Sequence, residues 1–111
     1  MNKERKGKIL SDEEFEARLA EVLSVVTGEV NYARHWDKER FEREGLTGGG
    51  ELFDSEKPVE TYLLWAGQYL QEANEAATGS FDKTKALENV RKAAGILVTC
   101  MMHKGASARQ E

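Results

Sequence analysis

Apolar positions recur with the period of an α-helix in three stretches of this chain. The clearest is 82–104, DKTKALENVRKAAGILVTCMMHK, where Leu87, Val90, Ala94, Leu97 and Met101 follow at spacings of three and four. Such a stripe is one helix face turned to an apolar partner. Ala86, Ala93 and Cys100 widen it on one side with small residues, a flank that a neighbouring backbone can approach closely. Asp82 suits the N-cap, because its carboxylate can accept from free first-turn amides. Phe81 is placed to staple onto Ala86. Gly105 suits a left-handed stop, and His103 and Lys104 occupy the last turn, where the helix dipole favours cations. The uncharged run 93–102 is half the roughly 20 residues a membrane span needs, so a buried core helix is predicted.

The second stretch is 12–44. Ser11 and Glu14 form an S-x-x-E capping box, and Leu10 can staple onto Phe15. Its stripe reads Phe15, Leu19, Val22, Val26, Glu29, Ala33, Trp36. Glu29 stands where the period asks for an apolar residue. Gly28 beside it weakens the helix by about 1 kcal/mol relative to alanine, so a break or a close helix crossing is expected there. From Asp37 the pattern turns charged, with Lys38–Glu42, Glu39–Arg43 and Arg40–Glu44 at i,i+4. A continuous helix would be about 50 Å long, which calls for a bend or a partner chain in so small a domain.

The third stretch, 58–77, starts at Pro58, a residue suited to a first helical turn. Val59, Tyr62, Leu63, Ala66, Tyr69 or Leu70, Ala73 and Ala77 make its stripe, with Trp65, Gln68 and Glu72 on one flank. The link Thr78-Gly79-Ser80 is so short that this helix and 82–104 form an antiparallel hairpin. The connection GLTGGGELFDSEK, 45–57, reads as a flexible linker. Its glycines are not a phosphate loop, since no Gly-Lys-Ser/Thr follows and no strand precedes.

The fold expected is all-α: a helical bundle with a long N-terminal helix and an antiparallel hairpin, completed by dimerisation. Composition narrows this further. A chain of 111 residues predicts one domain, and 32% charged residues with a single proline suit helices with solvated faces. The net charge of -4 argues against nucleic acid as the main ligand. One cysteine excludes an internal disulfide and suits a reducing cytoplasm. The basic start MNKERKGK is not followed by an apolar run, so no signal peptide is expected. A soluble, cytoplasmic protein is the expectation, with 1–10 a basic flexible arm and 105–111 a flexible tail.

Carboxylates are the first candidates for chemistry. Glu13 and Glu16, and again Glu72 and Glu75, form E-x-x-E pairs on one helix face each. Facing pairs can hold magnesium, which takes hard oxygen ligands; solvated helix faces explain the same spacing. Glu29 is more informative, because an acid on an apolar stripe must be paired, ligate a metal or lie at an open end. Its candidate ion-pair partners are Arg91 and Lys92. Cys100 and His103 lack the second pair that a zinc site requires. His35 with Trp36, and Trp65 with Tyr69, are either packing aromatics or platforms on which a base can stack.

Three segments together resemble a group of small helical proteins common in phages and prophages: EVNYARHW (Glu29 to Trp36), YLQEA (Tyr69 to Ala73) and KALENVRKAAGILVTCMMHKGA (Lys85 to Ala106), with a trailing Arg109. In outline these are similar to the all-α MazG-like nucleoside triphosphate pyrophosphohydrolases. The resemblance implies a dimeric helical bundle, magnesium as cofactor, Glu29, Glu72 and Glu75 as its ligands, and Arg91 or Lys92 on phosphates. That family's motif is E-x-x-E on one helix and E-x-x-D on the next. Here no E-x-x-D follows Glu72 and Glu75, and Tyr32 stands three residues after Glu29. The expectation is therefore a homo-oligomer that binds a nucleotide or a host protein without catalysis, through Arg91, Lys92, Trp36, Trp65 and Tyr69. The alternatives are a magnesium-dependent pyrophosphohydrolase and a structural oligomer without a ligand.

Overall fold

The computed structural model describes residues 7–43 and 54–110. Three helices carry the fold: α1 (Asp12–Arg43), α2 (Val59–Thr78) and α3 (Lys83–Lys104). Residues 54–56 form a helical turn, and no strand occurs among the described residues. No helix is long and apolar enough to cross a membrane, among the described residues. The glycine run, Leu52, Phe53, Glu44 and the first six residues of the arm lie outside the described residues.

The helix ends follow the signals in the sequence. Ser11 Oγ accepts from the Glu14 amide at 3.2 Å and donates to Glu14 Oε1 at 3.2 Å. Lys8 pairs with the same carboxylate at 2.9 Å, and together with Ser11 holds it below the usual range. Asp82 caps α3, accepting from the Lys85 amide at 3.0 Å. Gly105, at φ 106, closes it with its amide on the Met101 carbonyl at 2.9 Å. Phe81 does not staple: it is exposed, at positive φ.

α2 and α3 form the expected hairpin, but their shared core is not the large-residue stripe. The buried residues are Tyr62, Ala66, Ala73 and Ala76 on α2, and Ala86, Asn89, Ala93 and Cys100 on α3; Gly95 of α3, also buried, faces α1. Ala86, Ala93 and Cys100 recur every seven residues and form one buried seam of small side chains. Buried Asn89 is satisfied by the Lys85 carbonyl at 3.1 Å. Leu87, Val90 and Met101, which head the apolar stripe, stay about half exposed. Close approach of two backbones selects alanine, and the larger side chains are left on the back of the hairpin.

α1 is one unbroken helix of 32 residues, about 48 Å long. It packs on α3 and not on α2. The glycine at this crossing is Gly95 on α3, rather than Gly28. A Cβ at Gly95 would lie 2.9 Å from Glu29 Cγ, whereas Gly28 faces open space. The charged segment after Asp37 carries His35–Glu39 at 3.0 Å and Arg40–Asp37 at 3.7 Å.

Candidate functional site

α1 and α2 each pack on α3, their backbones do not approach each other closely, and the space between them is a groove of about 290 Å³. The α1 wall carries Glu29, Tyr32, Trp36 and Asp37. The α2 wall carries Tyr62, Trp65 and Tyr69, and Lys92, Ile96 and Thr99 of α3 form the floor. Helical phase explains the aromatics. With the alanines taking the seam, Trp65 and Tyr69 fall on the α2 flank nearer α1, and Trp36 reaches in from the opposite side.

Four of the five predicted ligand residues, Trp36, Trp65, Tyr69 and Lys92, therefore meet in one groove together with Glu29. Lys92 lies 5.6 Å from the Tyr69 ring centre. Arg91 is engaged instead in an ion pair, Nε to Glu29 Oε2 at 3.2 Å. This answers the question posed by an acid on an apolar stripe: Glu29 is paired with a partner 62 positions on.

The three acids considered as metal ligands do not gather. Glu72 lines an adjoining cavity of about 340 Å³ with Trp65, Gln68, Tyr69 and Ile96. Glu75 lies near the end of α2, accepting from Gln71 at 3.5 Å. No three His, Cys, Asp or Glu side chains group to hold a metal among the described residues. Glu13 and Glu16 are exposed on the far end of α1.

The groove also holds residues that sequence reasoning did not single out. Lys57 is buried, its Nζ 2.8 Å from Asp54 Oδ1 and 4.0 and 4.3 Å from the ring centres of Trp65 and Tyr62. Tyr62 donates its hydroxyl to the Asp54 carbonyl, and Lys104 Nζ reaches the Ser55 carbonyl at 2.7 Å. The end of the supposed linker is thus tied down on the hairpin. Burial pushes the Tyr62 hydroxyl up to about 12, helped by Asp54 and Cys100. Asp37 closes the same end. Its carboxyl is raised above its ordinary value by burial and then by Asp54, against weaker lowering by Arg40 and Lys57.

The groove therefore carries charged side chains at both ends. Lys92 and the Glu29–Arg91 pair stand at one end, and Asp37 and Asp54 stand at the other. Asp37 lies eight positions beyond Glu29 on α1, about 12 Å along the helix. Aromatic rings fill the interval.

These features define an all-helical protein: a small-residue hairpin crossed by one long helix, with an aromatic groove between. No family model, no curated protein and no solved structure matches the chain.

Proposed function

We propose that this chain is a helical binding protein that holds a mononucleotide in the groove between α1 and α2, without hydrolysing it. The observation that carries the reading is the meeting of Trp36, Trp65 and Tyr69 with Lys92 in one groove. Aromatic faces take a base by stacking, worth about 1–3 kcal/mol per base. A lysine 5.6 Å from the Tyr69 ring stands near a stacked base, where it can meet the phosphate carried on that nucleotide's sugar. The volume of about 290 Å³ is near the lower end of small-molecule sites, about 300–1,000 Å³.

The alternative is the magnesium-dependent pyrophosphohydrolase, with Glu29 and Glu72 among its ligands. Glu29 already answers Arg91, and Glu72 opens into the neighbouring cavity. These placements favour binding over hydrolysis. The likeness to small phage-type helical proteins fits either reading.

A thermal-shift screen with nucleoside mono-, di- and triphosphates, with and without magnesium, tests the proposal. A ligand at a hundred times its Kd stabilises the folded state by about 2.7 kcal/mol, a rise of about 10 °C for a chain of this length. The expected result is a shift independent of magnesium, weakened about 5- to 150-fold in affinity by Trp36→Ala and also reduced by Lys92→Ala. A shift that requires magnesium, with release of pyrophosphate, would establish the alternative. No shift with any nucleotide would refute both.

A further inference from the structure

We propose that α1 of one copy seats its bare N-terminal half on the back of the α2–α3 hairpin of a second copy, and receives the same contact in return. The starting observation is a surplus of surface. The chain exposes 9343 Å², where a compact protein of 12.5 kDa exposes about 6,200 Å². Its radius of gyration is 17.6 Å, against about 13 Å for a compact chain of this length. The surplus of about 3,100 Å² exceeds the roughly 800 Å² that each partner buries in a standard stable interface.

Two apolar faces among the described residues are part of that exposed surface. On α1 the stripe of half-buried Val26 and Val30 continues toward the N-terminus through Val22, Leu19 and Phe15, which are 56%, 47% and 57% exposed. None of the described residues buries them. The second face is the back of the hairpin. Leu87, Val90 and Met101 of α3 lie there with Leu63 and Leu70 of α2, which share that side by helical phase. Both stripes run at spacings of three and four; Phe15 to Val22 spans about two turns and Leu87 to Met101 about four.

Charge selects which face meets which. Positions 12–25 carry five acids (Asp12, Glu13, Glu14, Glu16 and Glu21) and one cation, Arg18. From Lys83 to Lys104, α3 carries one acid, Glu88, and the cations Lys83, Lys85 and Lys104, besides Lys92 in the groove and Arg91 in the pair with Glu29. Pairing two α1 ends would set acids against acids. Pairing α1 with α3 sets opposite charges together, and two such contacts close around a two-fold axis. This inference is independent of what the groove binds.

The test is the mass of the full chain in solution by light scattering at tens of micromolar. The wild type is expected at twice 12.5 kDa. Leu19→Glu with Val22→Glu on α1, and separately Val90→Glu on α3, should each give the single-chain mass with helical circular dichroism intact. An equal mixture of the two variants keeps one sound contact and should recover dimer. Carbodiimide cross-linking of mixed light and heavy-isotope wild-type chains supplies a reading that needs no variant. Links between copies are expected from the acids of 12–21 to Lys83 or Lys85. A wild type of single-chain mass, a Val90→Glu variant that stays dimeric, or cross-links confined within one copy would each overturn the proposal.

Discussion

The hairpin core makes a sharp prediction at Ala93, which is 1% exposed and lies in the seam between α2 and α3. Ala93→Leu adds three carbons on a buried face of the hairpin whose α2 side is formed by Tyr62 and the alanines Ala66, Ala73 and Ala76. Leucine has helix propensity near that of alanine, so the helix itself loses little. The cost comes from overpacking: the helices must separate or the side chain must leave its rotamer, at about 1–3 kcal/mol. At about 4 °C per kcal/mol for a chain of this length, the melting temperature should fall by about 4–12 °C. Thermal unfolding followed by circular dichroism at 222 nm reads this directly. Leu87→Ala is the paired control. Leu87 belongs to the large-residue stripe but is half exposed, so within a single chain its truncation should cost less than about 1 kcal/mol. If Ala93→Leu left the melting temperature unchanged while Leu87→Ala lowered it equally at micromolar and tenfold lower concentrations, the large-residue stripe would be the core of the single chain. The seam described above would then be wrong.

Asp37→Asn is expected to stabilise at neutral pH. Burial and Asp54 raise the Asp37 carboxyl, so its favourable contribution is complete below the ordinary value near 3.9 and is lost as pH rises through the raised value. The variant should therefore melt higher than wild type at pH 7, with the gain shrinking toward pH 3; an equal offset at both would exclude a titration effect. Removing Arg91 strands Glu29 on an apolar helix face, and Arg91→Ala should cost about 1–3 kcal/mol in urea unfolding. The double-mutant cycle with Glu29→Ala should return a coupling of about 1 kcal/mol, since the pair is part-buried, and a coupling near zero would mean the ion pair does not hold α1 in place.

Much of the fold was legible because its signals are local. Capping residues, the three-four period and the short Thr78–Ser80 link place all three helices within a residue or two of their ends. Glu29 was legible as well, because an acid on an apolar stripe announces a partner. The face of α3 that would be buried was not legible. Summed hydrophobicity ranks Leu87, Val90 and Met101 above Ala86, Ala93 and Cys100, while close helix packing ranks them in reverse. The groove was half legible. Its aromatics and Lys92 stand out by type, but Asp54 and Lys57 sit in a stretch whose polar composition resembles a linker, and only the tertiary path brings them to Tyr62 and Trp65. Asp37 carried a usable signal. It lies eight residues after Glu29 on the same stripe, through Ala33, and is a second acid where the period asks for an apolar residue.

The groove and the alanine seam are one consequence of how α3 is shared. Ala93 faces α2 and Gly95 faces α1, and two residues on an α-helix point about 160° apart. α1 and α2 thus grip α3 from nearly opposite sides and leave an arc between them, floored by Lys92, Ile96 and Thr99. A seam of large residues on α2 would draw the aromatic rings into the helix contact, and the arc would be lined by the polar flank instead. Because the seam is alanine, Trp65 and Tyr69 are displaced onto the rim, where they meet Trp36 across open space. Lys57 then fixes the far end, held by Asp54 and by the faces of two rings. The same small side chains that bring α2 and α3 together therefore supply the aromatic walls on which any ligand of this groove would stack.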